Sequence, residues 1–256
     1  MRLSKVIEVD GARLNIVIEG KNKAKPVLLW HGAACNLKMW DQVTSRLKND
    51  FQFIGFDIRG VGSSVPTDNK DQYNFECYAR DASIILDTLG IDQCHVWSMA
   101  WGSRAALAFC SLYPDRVSSA AFYDASIGPA DVKAQKIGHQ TALARQKKAG
   151  IERFDLPEDW NKHQNDETMR QAMAAAASFN LPAAALKLSL PVLVATGDCD
   201  PNLVSSRELV SIIDSARLEI MKNVGHGSVL QRPDLAAAIF ADFQASLIQQ
   251  HTQTDL

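Results

Sequence analysis

The residues with the clearest capacity for chemistry are a carboxylate and a histidine in the C-terminal part of the chain. Asp200 lies in the segment GDCDP (197–201), and His226 lies in the segment VGHG (224–227). Each segment directly follows a short apolar run that is typical of a strand. A histidine can take a proton from an attacking group, and a buried carboxylate can orient its ring and stabilise the resulting cation. These residue types therefore indicate acid–base chemistry.

A third position lies in the segment LGIDQCHVWSMAWGSRAALAFCSLYPDRV (89–117). This segment resembles the nucleophile-elbow region of the α/β-hydrolases, where a strand ends in G-x-S-x-G and turns sharply into a helix. Counting forward from LGID and backward from YPDRV aligns Ala100 with the serine of that family. The motif here is SMAWG (98–102), so serine replaces the first glycine and alanine replaces the nucleophile.

A second alignment would place Ser98, within the run VWSMA, at the centre of the elbow. It shifts the motif by two residues and so breaks both counts. It also puts Val96 and Ala100 where the tight turn favours glycine or another very small residue. We therefore interpret Ser98 as the end of a strand and keep the shifted alignment as an alternative.

The resemblance also covers the segment WHGA (30–33), which follows the third predicted strand. The family has its oxyanion loop at this place. The resemblance therefore implies that the backbone N–H groups of Ala33 and Trp101 stabilise an oxyanion. We also expect His31 and Gly32 to contact the substrate.

In the same family the acid follows the penultimate strand and the base follows the last one. The resemblance thus implies that Asp200 is the acid and His226 the general base. Asp124, at the end of the sixth predicted strand, occupies an alternative acid position, and Asp198 could simply face solvent. The turn DIRGVGS (57–63) matches a common family turn, which we interpret as structural.

Three residues so far apart in the chain can meet only where the strand ends of a parallel sheet converge. Short β-branched runs alternate here with longer helical patterns, which is typical of a mostly parallel sheet with helices on both faces. We predict the α/β class and an eight-stranded α/β-hydrolase fold. The predicted strands are VIEVDG, ARLNIVIEG, PVLLWHG, FQFIGFD, CHVWS, VSSAAFYD, PVLVATGD and ARLEIMKNV, and the predicted helices span 36–47, 75–89, 101–113, 205–213 and 235–248.

Between Asp124 and Pro191 the strand pattern stops and a polar, Ala-rich helical stretch follows. We interpret residues 127–190 as a helical cap inserted into an α/β-hydrolase core of residues 1–126 and 191–256. Cap residues set specificity in this family, and no motif in the cap identifies the substrate.

Composition limits the possible partners. A net charge of -2 provides no field that would attract nucleic acid or an acidic membrane. The N-terminus lacks the apolar core of a signal peptide, and no segment approaches the roughly 18 apolar residues of a membrane span. We therefore expect a cytoplasmic protein with a small-molecule substrate and with no nucleic-acid or membrane partner; the sequence does not indicate an oligomeric state.

The five cysteines are odd in number and isolated, which favours free thiols over disulfides. There is no C-x-x-C or H-E-x-x-H spacing, and we expect neither a metal nor a cofactor. 

Alanine at position 100 keeps the backbone of the elbow and deletes the attacking atom. Because His226, Asp200 and the oxyanion loop remain, we favour an inactive Ser-to-Ala variant of a serine hydrolase for a small ester, lactone or related carbonyl compound. Two alternatives stay open: a natural non-hydrolytic enzyme that uses the histidine and an acid as its base, and a small-molecule receptor.

Overall fold

The structure is a computed structural model that describes residues 2–65 and 69–254, with side chains described as far as residue 249. Within these residues eight strands form one sheet, which confirms the predicted fold class. The strands are β1 (Arg2–Val9), β2 (Ala12–Gly20), β3 (Lys25–Trp30), β4 (Phe51–Phe56), β5 (Cys94–Met99), β6 (Val117–Tyr123), β7 (Val192–Gly197) and β8 (Ala216–Met221).

The strand order is β1-β2-β4-β3-β5-β6-β7-β8. The strand β2 pairs antiparallel with β1 and β4, and every other neighbouring pair is parallel. In this register Trp30 lies beside Ser98, and Met99 lies beside Tyr123. The loops that follow β3, β5, β6, β7 and β8 therefore open at one edge of the sheet, as acid–base chemistry between them requires.

Helices cover both faces of the sheet. In the described part of the chain they are α1 (Asp41–Leu47), α2 (Phe75–Thr88), α3 (Trp101–Leu112), α4 (Val132–Lys148), α5 (Asp166–Ala174), α6 (Leu181–Ala185), α7 (Leu203–Ile212), α8 (Ser228–Gln231) and α9 (Pro233–Thr254). None of these helices combines the length and the apolar character needed to cross a bilayer.

The alternation of side chains along β5 divides the core into two layers. Val96 lies in the layer formed with α2 and α3, whereas Trp97 lies in the layer formed with α1 and α9. The ring of Trp97 stacks on Phe240 of α9 with centroids 4.1 Å apart. Because both faces are covered, the central strands are mostly buried along their length, and β7 is buried at every position.

The segment predicted as a cap, residues 127–190, contains α4, α5 and α6. The helix α4 approaches the loop after β7 so closely that a Cβ on Gly138 would lie 2.0 Å from the carbonyl oxygen of Cys199. By contrast, Leu181 and Ala185 of α6 lie in the same buried layer as residues of α3. The first part of the segment therefore lies over the edge that carries the loops, and the last part completes the core.

The turn DIRGVGS carries a buried ion pair between Arg59 and Asp81 of α2. Arg59 donates from Nε and Nη2 to the two carboxylate oxygens, at 2.8 and 2.6 Å, and the side chains are 0% and 2% exposed. Arg59 Nη2 also donates to the carbonyl oxygen of Asp10, in the hairpin between β1 and β2. The pair thus connects the hairpin with α2, a structural role like the one the sequence suggested.

We predict that Asp81→Ala lowers the free energy of unfolding by about 3–5 kcal/mol, because it leaves a buried guanidinium without its anion. The matched control is Asp87→Ala in the same helix, where Asp87 is 64% exposed and pairs with Arg116. That change should cost about 1 kcal/mol or less. Urea denaturation of both variants measures the difference, and equal losses would contradict the role given to the buried pair.

Candidate active site

The turn between β5 and α3 is formed by Ala100, whose backbone has φ 54° and ψ -114°. A non-glycine residue in a sparsely populated region of this kind is strained by on the order of 1–3 kcal/mol. Two hydrogen bonds hold the turn: Ala100 N donates to Tyr123 O at 2.7 Å, and Ser103 N donates to Ala100 O at 3.0 Å. The structure therefore places Ala100 in a sharp, fixed turn at the edge where the loops converge.

Gly102, two residues later, allows α3 to approach β3. A Cβ at this position would lie 2.5 Å from the carbonyl oxygen of Trp30 and 2.3 Å from that of His31. Both atoms belong to the backbone and cannot rotate away. The second small residue of the motif is therefore required by packing, and it sets how closely the helix follows the strand.

Ser98 lies in β5 beneath this turn and is fully buried. Its Oγ is 3.0 Å from Oγ of Ser103 and 3.2 Å from the carbonyl oxygen of Ala121. Ala100 lines a cavity of about 650 Å³, the main cavity of the structure, whereas Ser98 does not. The shifted alignment is therefore wrong about position: the hydroxyl of Ser98 is engaged inside the core.

His226 and Asp200 form a hydrogen-bonded pair, with Nδ1 of the ring 3.0 Å from Oδ2 of the carboxylate. The side chain of Asp200 is 0% exposed, and that of His226 is 23% exposed. The other oxygen of Asp200 accepts from the backbone N–H of Asn202 at 2.9 Å. Because Nδ1 donates to Asp200, Nε2 is the ring atom available to accept a proton, and His226 lines the cavity.

Asp124, the alternative acid of the sequence analysis, contacts the loop after β8 and not the histidine ring. Its Oδ2 accepts from the backbone N–H groups of Gly227 at 3.0 Å and Ser228 at 2.7 Å. Its carbonyl oxygen accepts from Nδ2 of Asn202 at 2.8 Å. Asp124 therefore fixes the backbone beside His226, while Asp200 bonds the ring itself.

The pKa values of this group reflect burial and mutual charge. Burial lowers the pKa of His226, but the hydrogen bond and charge of Asp200 more than offset this, so the pKa is raised. Burial raises the pKa of Asp124 to about 7, and the nearby charge of Asp200 acts in the same direction. Asp124 and the imidazole of His226 therefore both have raised pKa values, and they lie close together.

The backbone N–H groups of Ala33 and Trp101 belong to residues that line the same cavity. Within the described part of the chain, neither N–H donates to a protein acceptor. Trp101 is the first residue of α3, where backbone N–H groups have no partner inside the helix. The two donors predicted from the sequence are therefore unengaged and border the cavity at Ala100.

The substrate contact predicted for His31 and Gly32 requires correction. His31 is fully buried, its Nε2 accepts from Ile58 N at 3.2 Å, and its Nδ1 donates to the carbonyl oxygen of Gly32 at 3.0 Å. Neither residue lines the cavity. The ring points into the protein because it joins the ends of β3 and β4, and burial keeps its pKa low and the ring neutral.

The main cavity has a volume of about 650 Å³ and extends from Ala100 to α4 and the loop that follows it. Sequence reasoning missed most of the side chains around it. The polar and aromatic ones include Arg104, Gln135, His139, Trp160, Asn202 and Gln231. Arg104 could have been found, because it follows Trp101 by three residues on the helix predicted over 101–113 and so lies on the same face. The cap residues carried no comparable signal.

The possible metal-ligand atoms of Asp124, Asp200 and His226 lie within 4.8 Å of one another. Three of the four carboxylate oxygens already accept hydrogen bonds, and Nδ1 of the ring donates to Asp200. A metal ion would have to replace several of these bonds. As arranged, the group is suited to proton transfer.

A family model described as the alpha/beta hydrolase fold matches residues 25–198. Among solved structures, the enol-lactonase from Burkholderia xenovorans LB400 superposes with a TM-score of 0.78 at 22% identity, covering 94% of this chain and 100% of that one. This similarity concerns the fold alone.

Curated relatives are similar over different lengths. A fluoroacetate dehalogenase of a Burkholderia species is 32% identical over 47% of this chain and 40% of its own length. A poly(3-hydroxyalkanoate) depolymerase of Ectopseudomonas oleovorans is 26% identical over 97% of this chain and 93% of its own length. The chain thus spans less than half of the dehalogenase but nearly all of the depolymerase.

We predict that Asp200→Asn lowers the pKa of His226 by about 1–3 units, because it removes the charge that opposes burial. Asp124→Asn should lower this pKa less, since Asp124 bonds the loop and not the ring. Proton NMR titration of the histidines measures both changes. His95 is an internal control, because burial lowers its pKa to about 4 and neither substitution should change that value. A larger effect of Asp124→Asn would make Asp124 the principal partner of the ring.

Proposed function

Since the chain belongs to the α/β-hydrolase family, we propose that its site is a serine-hydrolase site from which the nucleophilic oxygen has been removed. The proposed substrate class is a small carboxylic ester or lactone. The observation that carries the proposal is the His226–Asp200 pair, whose histidine borders the same cavity as Ala100. A base, its orienting acid and an unfilled nucleophile position together are the parts of acyl-transfer chemistry.

With a serine at position 100, these groups would divide the reaction as follows. The hydroxyl oxygen would attack the substrate carbonyl while Nε2 of His226 took its proton, and Asp200 would stabilise the imidazolium. The carbonyl oxygen would become an oxyanion and accept from the N–H groups of Ala33 and Trp101. The carbonyl would then re-form as the bond to the alkoxide breaks, and the alkoxide would take the proton from His226. A water molecule, losing its proton to His226, would next attack the acyl group and release it from the serine, which takes the proton back.

The backbone at position 100 supports this proposal. It keeps the strained turn of a nucleophile elbow, although Ala100 has no hydroxyl group that the turn could orient. Backbone hydrogen bonds to Tyr123 and Ser103, together with the close packing of Gly102, stabilise its φ of 54°. Replacing one methyl hydrogen by a hydroxyl would need no change of the turn. The site therefore retains the form of a nucleophile elbow while lacking its oxygen.

The chain with alanine at position 100 should hydrolyse esters very slowly. Serine hydrolases that lose a triad member keep roughly 10³–10⁴ of rate enhancement over water, from oxyanion stabilisation and binding alone. Binding itself does not require the missing oxygen. The protein should therefore bind and release an ester substrate many times for each molecule that it converts.

The relatives are consistent with this range of substrates. One is named a lactonase, and a lactone is a cyclic ester; another is named a depolymerase of a poly(3-hydroxyalkanoate). A third is named a dehalogenase, so the same fold also serves substrates that are not esters. We assign the ester and lactone class to this chain on the strength of the two unengaged N–H groups, which suit a developing oxyanion.

A second candidate function is direct proton abstraction by His226 without a covalent intermediate. The observation that favours it is that the imidazole borders the cavity, while Nε2 has no protein partner within the described residues. In this case Asp200 would keep its orienting role, and the substrate would carry an acidic C–H or O–H group beside the ring.

We predict that Ala100→Ser raises the hydrolysis of a nitrophenyl acetate by several hundredfold or more over the unaltered chain. The same variant should be labelled by a fluorophosphonate probe. A matched control is Ala130→Ser, which adds a hydroxyl to the cavity wall away from the elbow and should change neither property. If Ala100→Ser folds but stays slow and unlabelled, the serine-hydrolase proposal is wrong and the second candidate gains support.

The pH dependence of the Ala100→Ser variant tests the base. Its kcat/KM should rise as the pH passes through the pKa of His226, because only the neutral ring accepts a proton. Since this pKa is raised, the rise should be centred above the ordinary histidine value of 6.5. Adding Asp200→Asn should lower kcat by up to about 10⁴ and move the rise to lower pH, because the charge that raises the pKa is gone. A profile that is flat across this range would exclude His226 as the base.

A further inference from the structure

Arg104 is a cation in the cavity wall that the catalytic proposal does not use. It lies one turn into α3, four residues after Ala100, and both residues line the cavity. Its positive charge lies near enough to His226 to lower the pKa of that ring. A group held at this place would therefore sit beside the reacting centre.

The guanidinium has no ion-pair partner among the residues that the structure describes. Nε donates to the carbonyl oxygen of Ser126 at 3.0 Å, and Nη2 donates to that of Gly128. These two bonds use one edge of the planar group, which carries five N–H donors in all. The end with Nη1 stays unengaged, and two parallel N–H groups at such an end match the two oxygens of a carboxylate.

The rest of the cavity reinforces this positive character. Its described lining includes Arg104 and Arg153 but no aspartate or glutamate side chain. Asp124 and Asp200 lie behind the lining, where they are engaged by backbone N–H groups and by the ring of His226. An anion that enters the cavity therefore meets cationic and amide groups, and no negatively charged side chain of the described lining repels it.

Burial of an arginine without a carboxylate is costly, because its charge loses water and gains no anion. Burial lowers the pKa of Arg104, and no opposite charge compensates for it. Two backbone carbonyl groups offset part of this cost. A ligand anion would offset the rest of this cost. Arg59 needs no such ligand, because Asp81 already provides its anion.

We propose that Arg104 is the binding site for a carboxylate of the ligand, so that the natural substrate is an anionic carbonyl compound. This inference deepens the proposed function and rests on its placement of the reacting carbonyl at Ala100. The carbonyl group would lie at the turn, and the carboxylate would lie at the guanidinium of Arg104, which lines the same cavity. The substrate is therefore a short ester or lactone that carries a free carboxylate, and a short keto acid presents the same carbonyl and carboxylate groups without a bond that the site could hydrolyse.

The test measures equilibrium binding to the chain with Ala100, which should bind such compounds without converting them. The probes are levulinate and its two longer straight-chain homologues, each compared with its primary amide by NMR titration. We expect at least one acid to bind about tenfold to a hundredfold more tightly than its amide, as charge-assisted hydrogen bonds imply. Absence of saturable binding by every acid, or equal affinity for acid and amide, would overturn the proposal.

Variants locate the anion. Arg104→Gln should abolish the preference for the acid, whereas Lys136→Gln, which removes an exposed charge from the neighbouring α4, should retain it. Because Arg104 also holds the loop at Ser126 and Gly128, Arg104→Lys is the second variant, and it should keep a reduced preference through its charge. If Arg104→Gln still prefers the acid, the anion lies elsewhere and the proposal is wrong. The same conclusion follows if Arg153→Gln is the only variant that loses the preference.

This experiment is independent of the nucleophile. A failure of Ala100→Ser to hydrolyse esters would refute the serine-hydrolase proposal and leave a measured carboxylate preference standing. Conversely, an Ala100→Ser variant that hydrolyses neutral and anionic esters equally well would support the hydrolase and refute the role of Arg104. The two proposals therefore fail by different measurements.

Discussion

The strained turn at Ala100 is the constraint on which the rest of the site depends. Its φ of 54° turns the chain from β5 into α3 within one residue, and Gly102 lets the helix follow so closely that no side chain would fit. This geometry places the first N–H of α3 beside the cavity and directs Arg104 into its wall. The start of α3 sets the positions of these groups. A less tightly bent turn would shift the start of the helix and move the groups apart.

The opposite wall of the site depends on hydrogen bonds between loops. Asp124 accepts from the backbone beyond His226, and its own carbonyl group is held by Asn202 in the loop that carries Asp200. Three strand ends are thereby connected through one buried residue, Asp124, by its carboxylate and its carbonyl group. The histidine ring can keep a single orientation in a half-open cavity because its supports lie in the dry interior, where such bonds are strongest.

The helix α4 connects the cavity to these loops by direct backbone contact. A Cβ on Gly225 would lie 2.8 Å from Cα of His139, and a Cβ on Gly138 would meet the carbonyl oxygen of Cys199. The helix thus rests on the loops of both Asp200 and His226. Gln135 and His139 of the same helix also line the cavity.

The sequence by itself determined the class of fold, and it predicted a candidate site where the strands end. The alternation of apolar runs and helical patterns, and the residue types after each strand, act over a few positions and can be read locally. Only the tertiary structure decided that His31 faces inward and that Asp200 bonds the ring of His226 while Asp124 bonds its loop. It alone brought residues of α4 to the cavity. The physical reason is that side-chain direction and contacts between distant segments depend on packing, which no local pattern of residues encodes.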